Sequence, residues 1–244
     1  MRNDVKKLMP GQYLRCEKQW VFRLMIFVAG IYGGYTLSVR GGVFCNAQTG
    51  NMALLALALG NGNWEKALYY LVPVCGYMLG TIISELIPKP LRRLRLMRWD
   101  TLLMLIEIVA VIVIGLIPAG SSDRICQIMI NFICAMQYNT FRQGEGIPLA
   151  TTFCTNHTRQ FGAALVGWLR RKEDSAQQGR KAAANGLMIL SFMAGVLVSA
   201  LMCRWLGTYA IWAALVPLGI LFIQLLRADL TAEKDLLEVT PQGH

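Results

Sequence analysis

The feature that most limits the folds open to this chain is the recurrence of apolar runs long enough, or nearly so, to cross the roughly 30 Å hydrocarbon core of a bilayer. Six qualify: Trp20 to Val39, Ala67 to Ile87, Thr101 to Pro118, Ile125 to Phe141, Gly186 to Trp205 and Thr208 to Leu226. With 55% hydrophobic residues and a mean hydropathy of +0.44 over 244 residues, the sequence is too apolar for an ordinary water-soluble domain. The expected fold class is an all-α membrane protein. Its parts are a cytoplasmic N-terminal segment (1–19), a first three-span unit (20–118), a second (125–227) and a cytoplasmic tail (228–244).

Two polar stretches interrupt this pattern. The first is Asn46-Ala47-Gln48-Thr49-Gly50-Asn51, inside Phe44 to Gly60; the second is Thr151-Thr152-Phe153-Cys154-Thr155-Asn156-His157, inside Ile147 to Trp168. Each leads into a short helical tail, Met52 to Leu59 or Phe161 to Leu169, that alone is too short to span. Polar backbone at membrane depth is tolerated only where it faces protein or water, so such interruptions point to a buried functional surface.

The distribution of positive charge separates the topologies. If neither interrupted stretch crosses, twenty of the 24 Lys and Arg residues lie on the side of the termini, leaving only Arg40, Lys66, Arg124 and Arg204 on the other. If both crossed, the basic loop Lys89, Arg92, Arg93, Arg95 and Arg98 would face outward. The first arrangement follows, with both termini cytoplasmic. The formal charge of +10 therefore reports orientation rather than nucleic-acid binding.

Three spans per half require the second half to be inverted relative to the first. Ala29 to Leu59 aligns without gaps on Ala135 to Leu165, pairing Tyr32 with Tyr138, Tyr35 with Phe141, Thr49 with Thr155 and Ala58 with Ala164. Gly76 and Gly80 match Gly195 and Ser199 in small-residue spacing, which serves close helix packing or a homo-oligomer contact. Each interrupted stretch is then a half-inserted segment, one dipping from each side, with the tips meeting near the midplane. Thr49 and Thr155 are expected at the N-cap positions of the two half-helices.

At these residues the chain resembles the YoaK-like family of bacterial integral membrane proteins, grouped as a domain of unknown function. The resemblance rests on Asn46 to Asn51, on Ala135-Met136-Gln137 with Phe141-Arg142, and on Gly146-Ile147-Pro148 with Ala150-Thr151-Thr152 before Cys154-Thr155. It covers roughly residues 20 to 227 and implies about six spans, with no established activity. Where that family commonly has a second Thr-Gly-Asn, this chain has Thr155-Asn156-His157, which adds bulk and a titratable imidazole.

The candidate substrate-binding residues are Asn46, Gln48, Thr49, Gly50, Asn51, Gln137, Asn139, Thr151, Thr152, Thr155, Asn156 and His157. Glu107, in the interior of the third span, is the candidate proton-coupling group, because a carboxyl there must be protonated, paired or facing water. A structural, hydrogen-bonded Glu107 is the competing reading. Glu85 is expected to pair with Arg92 or Arg93, and Arg159 to reach the headgroups. Two histidines, one terminal, form no metal site, and the seven cysteines show no CxxC pair and read as reduced. No nucleotide, hydrolase or metalloprotease motif is present, so neither a cofactor nor an enzymatic step is expected. The expectation is a transporter or facilitator of a small polar solute. The alternative is a non-transporting scaffold or partner subunit, with a membrane enzyme third.

Overall fold

The computed structural model describes residues 11–88, 97–118, 120, 123–170 and 174–241. Among them are eight α-helices: α1 (Gln19–Val39), α2 (Gln48–Gly60), α3 (Trp64–Leu86), α4 (Trp99–Leu116), α5 (Asp123–Thr140), α6 (Thr155–Leu169), α7 (Ser175–Leu206) and α8 (Leu215–Leu230). Helices α1, α3 and α4 and the stretch Ser175–Leu230, which contains α7 and α8, are long and apolar enough to cross a membrane. Helix α5 has 18 residues but carries Gln127, Asn131, Gln137 and Asn139, which keep it out of that set. Helices α2 and α6, with 13 and 15 residues, are roughly 20 Å long and too short to cross.

Large apolar side chains stand exposed along the bundle: Leu68, Met78 and Ile82 on α3, Val109 and Leu116 on α4, Leu190, Met193 and Leu197 on α7. In water such a surface drives aggregation; in lipid it is the contact surface.

Two buried polar clusters mark the ends of the bundle. At the first, the Arg98 N–H donates to Asp229 (3.0 Å), its Nε to Asp100 (3.0 Å) and its Nη1 to the Leu236 carbonyl (3.3 Å). Asp229 also accepts from the Thr101 hydroxyl (2.7 Å), and Glu233 accepts from the Arg15 N–H (2.6 Å). Burial opposes the Arg98 charge, but Asp100 beside it, together with Cys16 and Glu233, outweighs burial and raises the guanidinium pKa. The tail is therefore tied in at its start, with Asp229 only 2% exposed. At the opposite end Arg40 joins the end of α1 to Ile114, Ile117, Pro118 and Asp123.

These contacts fix the directions of the helices. Helices α1 and α4 run from the first end to the second. Helix α5 returns, placing Thr140 under the Trp99 indole (2.8 Å). Helix α3 begins near Gln127, which accepts from Tyr69 (3.1 Å), and ends where Asn139 donates to Ser84 (2.9 Å). Helix α8 starts just beyond Thr208, whose carbonyl accepts from Tyr35 (3.0 Å), and ends at Asp229. The basic loop at Lys89, Arg92, Arg93 and Arg95 lies outside the described residues, as do residues 1–10. Glu85 meets Arg142 (2.7 Å) and Asn139 (2.9 Å), while its expected partners Arg92 and Arg93 lie among the residues not described.

The small residues serve contacts within one chain. Gly30 and Gly195 face each other where α1 crosses α7: a Cβ on Gly195 would fall on the Phe27 carbonyl oxygen, and one on Gly34 would lie 2.8 Å from the Ser199 Cβ. Gly76 and Gly80 sit in the same way against Ile128 and Phe132 of α5. Because a backbone oxygen cannot move aside as a side-chain tip can, Gly195→Ala is expected to cost about 3 kcal/mol. Thermal unfolding in detergent checks this, with Gly219→Ala, which meets nothing within 4 Å, expected to match the parent.

One element departs from the all-helical expectation. Gln143–Gly144 and Ile147–Pro148 pair antiparallel across Glu145 (φ 50) and Gly146 (φ 76). Two consecutive positive φ values make a two-residue hairpin turn of the type that matches strand twist. Glu145 holds this left-handed position with its N–H on the Glu17 carbonyl (2.8 Å) and its carboxylate 3.6 Å from Lys18.

Candidate functional site

Between the two ends, the interrupted stretches meet. After α1 the chain reverses through Gly41 (φ 78) and Gly42 (φ 69), a conformation that costs glycine little and other residues more. This turn brings Asn46 back beside α1, where its Nδ2 donates to the Ala29 carbonyl (2.6 Å) and to the Thr152 carbonyl of the second stretch (3.2 Å). Gln137 of α5 does the same from the other side, its Nε2 facing the carbonyls of Met25 (3.4 Å) and Thr151 (3.0 Å). Both amides point nitrogen at two carbonyls, so neither can be turned over without setting acceptor against acceptor.

Around this junction the polar groups form a continuous set. Gln48 donates to Asn131 and to the Cys45 carbonyl (3.2 Å), and Asn51 donates to Gln48 (3.3 Å). The Cys134 thiol lies 3.9 Å from the Asn46 Oδ1. Tyr32 donates its hydroxyl to the second carboxyl oxygen of Glu107, Oε2 (3.2 Å). His157 is fully buried, with Nδ1 2.7 Å from the Asn185 Oδ1 and Nε2 2.7 Å from the Ala150 carbonyl. It ties α6 to α7 and to the residue before Thr151. The imidazole that departs from the Thr-Gly-Asn pattern is thus built into the support of the second stretch.

Four side-chain atoms here are buried and have no hydrogen-bond partner among the described residues: Glu107 Oε1, Gln137 Oε1, Thr151 Oγ1 and Thr152 Oγ1. An unsatisfied buried polar group costs about 1–3 kcal/mol. Each of these four belongs to a residue that was a site candidate from sequence, and the hydrogen-bonded chain through Asn46, Thr152, Thr151 and Gln137 links three of them. Glu107 is held apart from that chain, on Tyr32.

The remaining candidates divide. Asn46, Gln48, Asn51, Gln137, Thr151 and Thr152 come together, with Glu107 and His157 beside them. Thr49, Gly50 and Thr155 are exposed, on the outer sides of α2 and α6. The expected N-caps are displaced as well: Ala47 and Cys154 occupy those positions, with no side-chain cap bond, and Thr49 and Thr155 lie inside the first turns. Asn139 and Asn156 line an open cleft of about 450 Å³ with Tyr138, Arg142, Pro148, Leu149 and Ala150. The cleft lies toward the first end of the bundle, and its wall residue Ala150 adjoins Thr151. Arg159 is exposed and donates to Asn156 (3.2 Å).

Tyr32 and Asn185 were not among the candidates. Tyr32 is a seventy-five-residue separation from Glu107 and reads in sequence as an aromatic within an apolar run. Asn185, one residue before the apolar segment beginning at Gly186, reads as a boundary residue. Only the crossing of α7 over α1 and α6 reveals its use.

The apolar helices, their exposed apolar surface and the buried polar junction define a multi-pass, predominantly helical membrane protein. The chain belongs to the family described as "Protein of unknown function (DUF1275)", whose model matches residues 21–224, from α1 into α8 and through both interrupted stretches. The YoaK-like resemblance is consistent with that membership. No curated protein and no solved structure matches the chain.

Proposed function

We propose that the chain is a transporter or facilitator of a small polar solute, built as six membrane spans in two inverted three-span halves, with both termini on the cytoplasmic side of a bacterial inner membrane. The observation that carries this reading is the set of orphaned buried oxygens on Gln137, Thr151 and Thr152, where two helix-breaking stretches meet. A scaffold gains nothing from leaving such groups without partners in its centre, whereas a solute site needs them.

The inverted repeat is supported by equivalences across the sequence register. Asn46 aligns with Thr152, and these two hydrogen-bond directly, as residues astride a two-fold axis do. Asn51 and His157 are both buried, Thr49 and Thr155 both exposed, Ala58 and Ala164 both buried. The first span of each half packs on the second span of the other, α1 on α7 and α5 on α3. Glu107, with Tyr32 on one oxygen, is the group suited to carry a proton. The cleft at Asn139 and Asn156 is the entrance from the cytoplasmic side, and the reading assigns no catalytic step.

One observation favours the scaffold alternative: the centre is closed, with Asn46, Gln137, Thr151, Thr152 and Glu107 at most 2% exposed. Reconstitution separates the two. In proteoliposomes, osmotic swelling with a panel of small polar solutes and ammonium salts is expected to accelerate at least tenfold over protein-free vesicles for one of them. Asn46→Ala is expected to remove the acceleration while the protein remains folded. Swelling that never exceeds the protein-free rate for any member of the panel supports the scaffold.

A further inference from the structure

We infer that the groove between α6 and α7 binds the headgroup of an anionic phospholipid in the leaflet at the first end of the bundle. The inference is independent of the transport reading, because none of the candidate solute residues lines this groove.

Small residues on α6 open the groove, and cations line it. Ala163, Ala164 and Gly167 face Gln178 and Lys181 of α7 across a space of about 370 Å³, with Arg159 and Gln160 also lining it. A Cβ on Gly167 would lie 2.9 Å from the Gln178 Cγ, so a side chain there would take up space that is now open. No carboxylate lines the groove, and neither Arg159 nor Lys181 has an acidic partner among the described residues. Other cations at this end are matched: Arg98 by Asp100 (3.0 Å), Arg142 by Glu85 (2.7 Å) and Lys18 by Glu145 (3.6 Å). The described side-chain bond of Arg159 is one donation to Asn156 (3.2 Å), which leaves most of its guanidinium N–H groups for another acceptor. Two unmatched cations lining one groove favour an anionic oxygen group, and a phosphate accepts from both.

Depth favours a lipid over a free anion. Helix α7 ends at Leu206, next to the Thr208 that meets Tyr35 at the second end, so its opening turns lie at the first end. Lys181 precedes the apolar segment beginning at Gly186 by five residues, roughly 7.5 Å of helix, which is the level of the headgroup layer outside the hydrocarbon. Arg159 lies within one turn of His157, which Asn185 ties to the same boundary. Beyond the groove α6 closes with Val166, Trp168 and Leu169, all exposed. An exposed apolar edge carrying a tryptophan suits the boundary between headgroups and acyl chains better than it suits water. From Arg159 to Lys181 the sequence holds six basic residues against two acidic ones, Glu173 and Asp174, so the wider field of this segment also favours an anion.

The test uses the full chain, stripped of lipid in nonionic detergent and given phosphatidylglycerol or phosphatidylcholine of identical acyl chains. Native mass spectrometry counts the lipid retained, and tryptophan fluorescence follows unfolding. Each basic group contributes a factor of about five toward an anionic headgroup, so phosphatidylglycerol is expected to bind roughly twentyfold more tightly than phosphatidylcholine and to raise the unfolding temperature saturably. Arg159→Gln with Lys181→Gln is expected to lower that preference to near one. Gly167→Leu, which fills the groove without changing charge, is expected to do the same. Lys66→Gln with Arg204→Gln removes equal charge from exposed positions toward the second end and is expected to match the parent.

Equal retention of the two lipids by the parent overturns the site. A preference that survives in either groove variant also overturns it, since the lipid then binds elsewhere, and a preference lost equally in the Lys66 and Arg204 control reduces it to net charge. Inorganic phosphate that raises the unfolding temperature as far as phosphatidylglycerol does, and displaces it, makes the groove a free-anion site and removes the lipid. Vesicle flux is a separate measurement, and none of these outcomes decides it.

Discussion

Arg40→Ala is expected to lower stability by about 3–5 kcal/mol, the range for breaking a buried charge pair from one side. Arg40 is fully buried, yet each of its donors has an acceptor. Its Nε donates to Tyr35 (2.7 Å), Nη1 to the Pro118 carbonyl (2.8 Å) and to Asp123 (3.0 Å), and Nη2 to the carbonyls of Ile117 (2.5 Å) and Ile114 (3.4 Å). The guanidinium thus caps the C-terminal end of α4, where free carbonyls favour a cation. It also joins α1 to the start of α5. Alanine leaves those carbonyls and the Asp123 carboxylate without their donor in a region that little water reaches. The unfolding temperature in detergent is expected to fall by roughly 10 °C, with loss of the monodisperse fraction on size exclusion. Arg40→Lys keeps the charge but loses the planar fork, and is expected to recover only part of the loss. An Arg40→Ala protein unfolding within 2 °C of the parent would show that the second end of the bundle is held by other contacts.

Arg40 also illustrates what the sequence conceals. In a charge count it is one of four cations on the sparse side, indistinguishable from Lys66 or Arg204; its role depends on three chain ends that no local pattern brings together. By contrast, the apolar runs and the two interruptions were legible, because helix length and hydropathy are properties of contiguous residues. The half-helices were legible in extent, and their termini were displaced by one or two residues, since Ala47 and Cys154 cap through backbone geometry rather than through a side-chain oxygen.

The site was legible as a stretch and less so as a surface. A polar run in sequence presents all its members equally, but a helix turns successive residues by about 100°. Asn51 therefore faces inward while Thr49 and Gly50 face out. The same rotation sends His157 inward and Thr155 outward on α6. Thr151 and Thr152 escape this rotation because they precede the helix, in a bend pinned by Gln137 and Asn46 through their carbonyls. Asn139 follows Gln137 by only two positions on α5, which places it on another side, toward Ser84 and Glu85.

Replacing Thr151 and Thr152 together with valine is expected to move stability and activity in opposite directions. Valine has nearly the shape of threonine, so the backbone carbonyls that accept from Gln137 and Asn46 keep their donors. Only the two hydroxyls go, and these have no partner among the described residues. Deleting a buried, unsatisfied hydroxyl removes its desolvation penalty, so the double variant is expected to gain about 1–2 kcal/mol, or roughly 4 °C in unfolding temperature. If the hydroxyls contact the solute, the same change is expected to return solute-driven swelling of proteoliposomes to the protein-free rate. A structural threonine behaves in the opposite way: its hydroxyl is bonded, valine destabilises, and activity follows the amount of folded protein. Higher stability with lost flux is therefore the pattern of a site that holds unfavourable groups in place for a ligand. Lower stability with flux preserved per folded molecule would assign both hydroxyls to packing and remove them from the transport pathway.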